Sequence, residues 1–174
     1  MSSKEAILSR LRGAATPIAH APHGWQPWRG ADDSARRERF VAGISASHAE
    51  ILTVQQANLA RDLAAWLDEE GVTHLACGQG GRWQAEVAAA CAGRSVLTPS
   101  GEFASWKDDL FDVCQAGITH CAGAIADTGT LVLLPDGGEP RTLSLVPPCH
   151  IALLAASTIA DNLAGLVAAG RWQQ

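Results

Sequence analysis

The chain has 174 residues, of which 47% are hydrophobic and 18% are charged, and its formal net charge is −5. This length and composition predict one folded domain with its own core and exclude a disordered chain. The acidic balance speaks against a nucleic-acid-binding protein, which usually presents a basic face.

The termini and cysteines predict a cytoplasmic protein that does not enter the membrane. The first residues lack the apolar core of a signal peptide, and no apolar run is long enough to cross a bilayer. The 5 cysteines form no Cys-x-x-Cys pair, and their odd number suits a reducing compartment better than a secreted disulfide framework.

The N-terminal part of the sequence predicts a helix and an arm. Apolar residues at helical spacing predict a helix over residues 4–12, and prolines and glycines break the stretch that follows. Because Trp25 and Trp28 lie in that stretch, we expect it to pack on the body rather than to be a free linker. We therefore assign residues 1–33 to a helix and a Trp/Pro-rich arm, and residues 34–174 to a single α/β domain.

Within the domain, short strand-like runs alternate with helices. Strands are predicted over residues 50–54, 72–76, 95–98, 118–125, 130–134 and 151–155. Helices are predicted from Asp33-Ser34 onward, over 55–70, up to about Cys91, over 103–115 and over 159–169. Strands that are apolar on both faces and alternate with helices indicate a mostly parallel sheet covered by helices, a three-layer α/β/α fold.

A glycine-rich turn is the first candidate binding element. Gly78, Gly80 and Gly81 follow a predicted strand and precede a helix, where open α/β sheets place anionic ligands. The spacing matches neither the dinucleotide-binding nor the phosphate-loop pattern. The alternative is a tight turn that needs glycines for its backbone alone.

Two dipeptides resemble metal ligands, namely His120-Cys121 and Cys149-His150. Adjacent residues on a strand point to opposite faces, so each dipeptide offers one ligand to a given site, and a structural zinc needs four. We therefore expect no metal site. The sequence also lacks the closely spaced thiolates of an iron–sulfur cluster, so we expect no cluster on this chain.

Arg141 and Asp127 are candidate polar residues near turns. Arg141 could hold a carboxylate or phosphate through two parallel hydrogen bonds, or form a surface ion pair with Glu139 or Asp136; both readings stay open. Asp127 opens an Asp-Thr-Gly sequence like that of aspartic proteases, but a single copy in a helical protein favours a simple turn.

Two longer segments, residues 123–133 and 141–151, resemble the hallmark segments of the lactate-utilisation protein C family. The family patterns are Ala-Ile-Ala-Glu-Thr-Gly-Thr, and Arg-x-hydrophobic-Ser-Leu-hydrophobic-Pro-Pro-x-His. This chain has Asp127 where the family more often has glutamate. The family also continues past the last helix into a Gly-Pro-Ser-x-Thr-Ala-Asp-Ile segment, which we expect to be missing from this chain, either by truncation or because a tail is not included.

The resemblance implies a fold similar to CoA-transferases and sugar-phosphate isomerases. It implies a component of L-lactate oxidation to pyruvate that carries no redox centre of its own and works with iron–sulfur partner proteins. The substrate-binding candidates carried over by position are Asp127, Thr128, Gly129, Thr130, Arg141, Ser144 and His150; no catalytic residue is assigned. The alternatives are a stand-alone CoA-transferase-like or sugar-phosphate-isomerase-like enzyme and a non-catalytic module that binds a small carboxylate.

Overall fold

The computed structural model describes residues 3–13 and 26–170. Its larger sheet, sheet A, has 4 strands in the order β2-β1-β3-β6, and every neighbouring pair is parallel. The strands are β1 His74–Cys77, β2 Ser95–Leu97, β3 Ala116–His120 and β6 Cys149–Leu153. The predicted parallel sheet is therefore confirmed.

Helices cover both faces of sheet A. Helices α3 Leu59–Glu69 and α4 Gln84–Ala90 pack on one face, where Leu67, Leu75 and Ile118 are fully buried. Helix α5 Lys107–Asp112 and the 3-10 helix Arg141–Ser144 pack on the other face through Leu110 and Leu143. This arrangement confirms the three-layer α/β/α prediction.

A second sheet, sheet B, was not predicted. It has the order β5-β4-β7, with β4 antiparallel to β5 and parallel to β7. Its strands are β4 Gly123–Ile125, β5 Thr130–Val132 and β7 Ile159–Ala160, and it lies against helices α2 Asp33–Ser45 and α6 Leu163–Ala168.

The prediction of one strand over residues 118–125 was wrong, because the chain leaves sheet A at Cys121. The Cys121 amide donates to the Leu153 carbonyl of β6 at 2.8 Å, whereas the Ala122 amide donates to the Val132 carbonyl of β5 at 2.8 Å. Two consecutive residues thus pair with strands of different sheets. The sequence pattern of an apolar run is the same whether its residues form one strand of one sheet or are divided between two sheets.

The segment over residues 50–54, predicted as a strand, joins neither sheet and runs between α2 and α3 without regular structure. The predicted helix over 159–169 is shorter, because its first residues form β7. Helix α6 then begins after Asn162, whose side chain accepts from the Gly165 amide at 2.9 Å. The cap residue therefore decides where the chain turns helical.

The structure describes two parts of the N-terminal region, residues 3–13 and the residues from 26 onward. Helix α1 spans Ser3–Gly13, and α2 is capped by Asp32, whose carboxylate accepts from the Ala35 amide at 2.8 Å. The Trp28 side chain is half-buried against the cluster of Phe40, and its carbonyl accepts from Asn162 at 2.9 Å, so this part of the arm packs on the body. Trp25 lies outside the described residues.

The length and composition of the described helices bear on whether any of them could cross a membrane. Among the helices of residues 3–13 and 26–170, none combines the length and the apolar character that a transmembrane helix requires.

Gly117 allows the close approach of the 3-10 helix to sheet A. A Cβ atom at this position would lie 2.1 Å from the Leu143 carbonyl oxygen, which is a backbone atom that a rotamer change cannot move away. We expect Gly117→Ala to destabilise the protein by about 3 kcal/mol in urea unfolding, as overpacking against a rigid neighbour does. Gly137→Ala is the matched control, since nothing lies within 4 Å of the added Cβ, and it should leave the midpoint nearly unchanged.

Candidate functional site

The carboxyl end of sheet A carries a topological switch point. From β1 the chain crosses to β2 on one side, and from β2 it crosses back to β3 on the other side of β1. Open parallel sheets bind ligands at such points, because the loops that leave the two strands diverge and open a crevice. Here the glycine-rich turn follows β1, and His120 is the last residue of β3.

At this point His120 forms a two-point contact with Glu139. The His120 Nδ1 atom lies 2.8 Å from Glu139 Oε2, and the His120 backbone amide donates to Glu139 Oε1 at 2.8 Å. Their side chains are only 13% and 16% exposed, respectively. One carboxylate therefore holds both the ring and the backbone of His120.

The far side of the His120 ring is closed without a polar partner. Its Nε2 atom is buried and has no hydrogen-bond partner among the residues that the structure describes. The Trp83 ring stacks on the imidazole with centroids 6.0 Å apart and an interplanar angle of 23°. Gly81 lies against the ring edge, since a Cβ there would come within 2.5 Å of Nε2 and closer still to Cε1 and Nδ1.

A compact turn positions Glu139. The Asp136 carboxylate accepts from the Gly138 and Glu139 amides, each at 2.8 Å, as Asp side chains at turns commonly do. The Gln79 amide donates to the Gly138 carbonyl at 2.9 Å, which joins this turn to the glycine-rich loop.

Close packing accounts for two of the three loop glycines. A Cβ at Gly78 would meet Glu139 Cγ at 2.7 Å, and Gly81 has no room beside His120. Gly80 has a φ of +81°, which favours glycine. Packing therefore accounts for Gly78 and Gly81 and backbone conformation for Gly80, and the anion-binding role of the loop stays a prediction.

Arg141 lies two residues after Glu139 in the sequence. It is exposed at the start of the 3-10 helix, and within residues 3–13 and 26–170 it has no ion-pair or side-chain hydrogen-bond partner. Both acids that could have paired with it are engaged, Glu139 by His120 and Asp136 by turn amides. Ser144 donates to the Arg141 carbonyl at 3.0 Å and so supports the backbone of the helix rather than the guanidinium.

The nearby thiols remain protonated. Burial raises the pKa of Cys121 to about 12, and the negative charge of Glu139 adds to the effect. Burial likewise raises the pKa of Cys77, against an opposing hydrogen bond from Thr98. Because the thiolate is the nucleophile and the metal ligand, neither cysteine is prepared for such roles at neutral pH.

The Asp-Thr-Gly-Thr residues lie elsewhere, at the turn between β4 and β5 of sheet B. Asp127, Thr128 and Thr130 line a cavity of about 690 Å³. Asp127 Oδ1 lies 3.7 Å from Arg39 Nη2, and the Thr128 and Thr130 hydroxyls are 2.7 Å apart. Gly129, with a φ of +64°, is the turn residue that needs to be glycine.

His150 occupies a third place, on the edge strand β6. Its Nε2 atom lies 2.7 Å from the Thr119 hydroxyl, and burial lowers its pKa. It borders two further cavities, of about 430 and 610 Å³. The substrate-binding candidates therefore fall into groups: Asp127, Thr128 and Thr130 share one cavity, and Ser144 bonds to Arg141. Arg141 lies two residues after Glu139, whose turn contacts the glycine-rich loop.

No set of three or more histidine, cysteine and acidic side chains in the described parts of the chain is arranged to hold a metal ion. His120 and His150 instead bond to Glu139 and Thr119.

Comparison with known proteins identifies the family. The LUD domain model matches residues 37–174. The chain belongs to the LUD domain family. A crystal structure of a DUF162 family protein from Deinococcus radiodurans aligns with a TM-score of 0.63 and 25% identity, over 82% of this chain and 83% of that one. The family resemblance and the α/β fold are both confirmed.

Curated relatives of this LUD domain protein include one of unknown role and two named for lactate utilisation. An uncharacterised protein of Neisseria meningitidis is 30% identical over 169 residues, covering 90% of this chain and 70% of the relative. Lactate utilization protein C 1 of Bacillus mycoides is 25% identical over 169 residues, covering 90% and 71%. Lactate utilization protein C of a Geobacillus species is 36% identical over 55 residues, covering 32% of this chain and 23% of that protein.

The sequence reasoning on this LUD domain missed the His120–Glu139 pair. It considered His120 only as a possible metal ligand, and Glu139 only as one of two possible surface partners of Arg141. The available signal was a histidine at a strand end followed, 19 residues later, by an acid behind an Asp-Gly-Gly turn.

Protonation of His150 should destabilise the fold. Because burial lowers its pKa in the folded protein, the unfolded chain takes up the proton first. Stability is then fully present above the unfolded histidine pKa of about 6.5 and declines as the pH falls below it. We expect His150→Gln, which does not titrate, to lose less stability than the wild type between about pH 7 and pH 5.

Urea midpoints measured across this pH range check the prediction. The control is His74→Gln, an exposed histidine that also contacts a threonine hydroxyl, at 3.0 Å. An equal pH dependence in wild type and His150→Gln would contradict the prediction.

Proposed function

We propose that this protein is a component of an L-lactate utilisation system that binds a small carboxylate and carries no redox centre of its own. The exposed guanidinium of Arg141 carries the proposal, because it lies toward the carboxyl end of sheet A and open parallel sheets bind ligands at that end. It occurs in a chain that is 25% identical over 169 residues to a protein named lactate utilization protein C 1.

Arg141 suits a carboxylate ligand for two reasons. A guanidinium presents parallel N–H donors that match the two oxygens of a carboxylate, and such charge-assisted pairs are stronger than neutral hydrogen bonds. The neighbouring acids are already engaged by His120 and by turn amides, so they do not compete for the arginine. Lactate and pyruvate both present this group.

The cysteines support a chain whose redox centres lie on partners. Burial raises the pKa of all 5 thiols, that of Cys91 to about 11 and that of Cys121 to about 12. Iron–sulfur clusters are usually held by closely spaced cysteines, and this sequence has no Cys-x-x-Cys pair. We infer that iron–sulfur proteins supply electron transfer, in the cytoplasm, where thiols stay reduced.

A stand-alone enzyme with a CoA-transferase-like or sugar-phosphate-isomerase-like reaction is the second candidate. The cavity of about 690 Å³ beside Asp127 favours it, since ligand pockets commonly measure about 300–1,000 Å³. Turnover of a CoA ester or a sugar phosphate by the isolated chain, abolished in Asp127→Asn, would support this candidate over the first.

A tagged pull-down from the source cells grown on lactate tests the first proposal. We expect iron–sulfur proteins to co-purify, and the recovered complex to oxidise L-lactate. Cells that lack the protein should grow more slowly on lactate but normally on glucose. Recovery of the chain alone, together with unchanged growth on lactate, would refute the proposal.

Arg141→Ala should weaken carboxylate binding. Loss of a charge-assisted contact of about 1.5–3 kcal/mol corresponds to a Kd about 10- to 100-fold higher, measured by calorimetry with L-lactate. Arg61→Ala is the matched control, because the Arg61 side chain is 71% exposed and pairs with its neighbour Asp62. Equal affinities in the two variants would remove Arg141 from the site.

A further inference from the structure

A further cavity, of about 310 Å³, lies at the carboxyl end of sheet A. Two chain segments that follow parallel strands contribute to its lining. Residues 154–157 come directly after β6, and Arg82 and Trp83 come after the glycine-rich loop that follows β1. Because open parallel sheets bind ligands outside the carboxyl ends of their strands, the cavity lies where a small ligand is expected.

The polar side chains of this cavity can all donate hydrogen bonds. Arg82, Gln56 and Ser157 contribute a guanidinium, an amide and a hydroxyl group, and no acidic side chain is among the residues that line the cavity. Each of the three cavities described above is instead lined by an acid, either Asp127 or Glu50. A cavity that is lined by a cation and by no acid favours an anionic ligand.

The N–H donors of Arg82 are available to such a ligand. Among the described residues, its guanidinium forms no ion pair and no hydrogen bond. Its Cζ atom lies over the Trp83 ring, 5.3 Å from the ring centroid. This cation–π contact holds the guanidinium beside the cavity through its charge, so N–H groups remain for the oxygens of a carboxylate or a phosphate.

Trp83 brings a second, unsatisfied donor to the cavity. The residue is 7% exposed, and its indole Nε1 atom is buried without a hydrogen-bond partner among the described residues. An indole nitrogen donates and does not accept, so the missing partner is an acceptor. A buried donor without a partner destabilises the fold, and an anion in the adjoining cavity supplies the acceptor that the protein lacks.

We propose that this cavity binds a small organic anion whose charged oxygens accept from Arg82 and from the Trp83 indole. The apolar part of the anion packs on the aliphatic side chains of the lining, Leu52, Val54, Leu59 and Leu154. Arg141 does not line the cavity, so the inference goes beyond the proposed function. In this site the glycine-rich loop serves anion binding by leading the chain to Arg82 and Trp83.

Calorimetry with the full chain tests the site. The probes are two anions, butanoate and inorganic phosphate, and the neutral compound butanamide. We expect anion binding, and at least about 10-fold weaker binding of butanamide than of butanoate, because hydrogen bonds to charged groups are stronger than neutral ones. Binding of butanoate alone assigns the site to carboxylates, and binding of phosphate alone assigns it to phosphate esters. If neither anion binds, or if butanamide binds as tightly as butanoate, the inference is overturned.

Two pairs of variants locate the bound anion. Arg82→Ala should raise its Kd about 10- to 100-fold, whereas Arg37→Ala, which removes an equal charge from the cavity of about 610 Å³, should leave the Kd unchanged. Trp83→Phe keeps a ring but removes the N–H donor, and should raise the Kd about 10-fold. Trp106→Phe is its control, because Trp106 also has a buried Nε1 atom without a partner among the described residues and lines none of the four cavities.

Proton–nitrogen NMR of the indole groups gives a readout that does not depend on the folding of a variant. The Trp83 indole resonance should shift when the anion is added, while that of Trp106 stays in place. An unshifted Trp83 resonance, or equal weakening by both members of either pair of variants, overturns the inference.

The variant Arg141→Ala separates this inference from the proposed function. Normal binding of the anion in Arg141→Ala, together with weak binding in Arg82→Ala, supports a site of its own in the cavity. The opposite result, with binding lost in Arg141→Ala and retained in Arg82→Ala, assigns the anion to Arg141. That result would overturn the inference and leave the proposed function standing.

Discussion

The contact between Glu139 and His120 organises the carboxyl end of sheet A. A carboxylate that is 16% exposed loses much of its hydration, and it persists because the His120 ring and amide both donate to it. The contact also draws the Asp136 turn against the glycine-rich loop, where the bond between Gln79 and Gly138 completes the unit. Among the described residues Arg141 has no ion-pair partner, and Glu139, the acid nearest to it in the sequence, contacts His120 instead.

The chain passes from sheet A to sheet B at Cys121. This break also determines where the candidate site residues lie. It carries the Asp-Thr-Gly-Thr turn to sheet B, while His120, the residue just before the break, stays at the end of sheet A. Residues that are close in sequence therefore lie in two separate places: Asp127 borders a cavity at sheet B, and His120 contacts Glu139 at the end of sheet A. A ligand at one does not occupy the other, which makes the two proposed functions separable by mutation.

Part of the candidate site could be predicted from order along the chain. The glycine-rich loop follows a strand and precedes a helix, and Arg141 follows a turn, so both were expected at a sheet end. The contact that Glu139 makes could not be predicted. Whether its carboxylate pairs with Arg141 or with His120 depends on how the turn before Glu139 packs on the glycine-rich loop. Gln79 of that loop lies 60 residues before Glu139 in the sequence. The contact of His150 with Thr119 on the edge strand β6 was likewise not predicted, because it depends on how β3 and β6 pair.

The sequence by itself determined the local elements and the fold class, because apolar spacing, caps and glycines act within a few residues. Thus the positive φ of Gly71, the cap of α2 and the parallel strands of sheet A all agree with patterns that can be read directly from the chain. Tertiary structure alone decided where the apolar run over residues 118–125 divides, since that depends on which strands offer carbonyls to Cys121 and Ala122. Tertiary structure also determined which acidic side chain contacts which basic side chain, because a buried charged group pairs with the partner that packing places within hydrogen-bond distance.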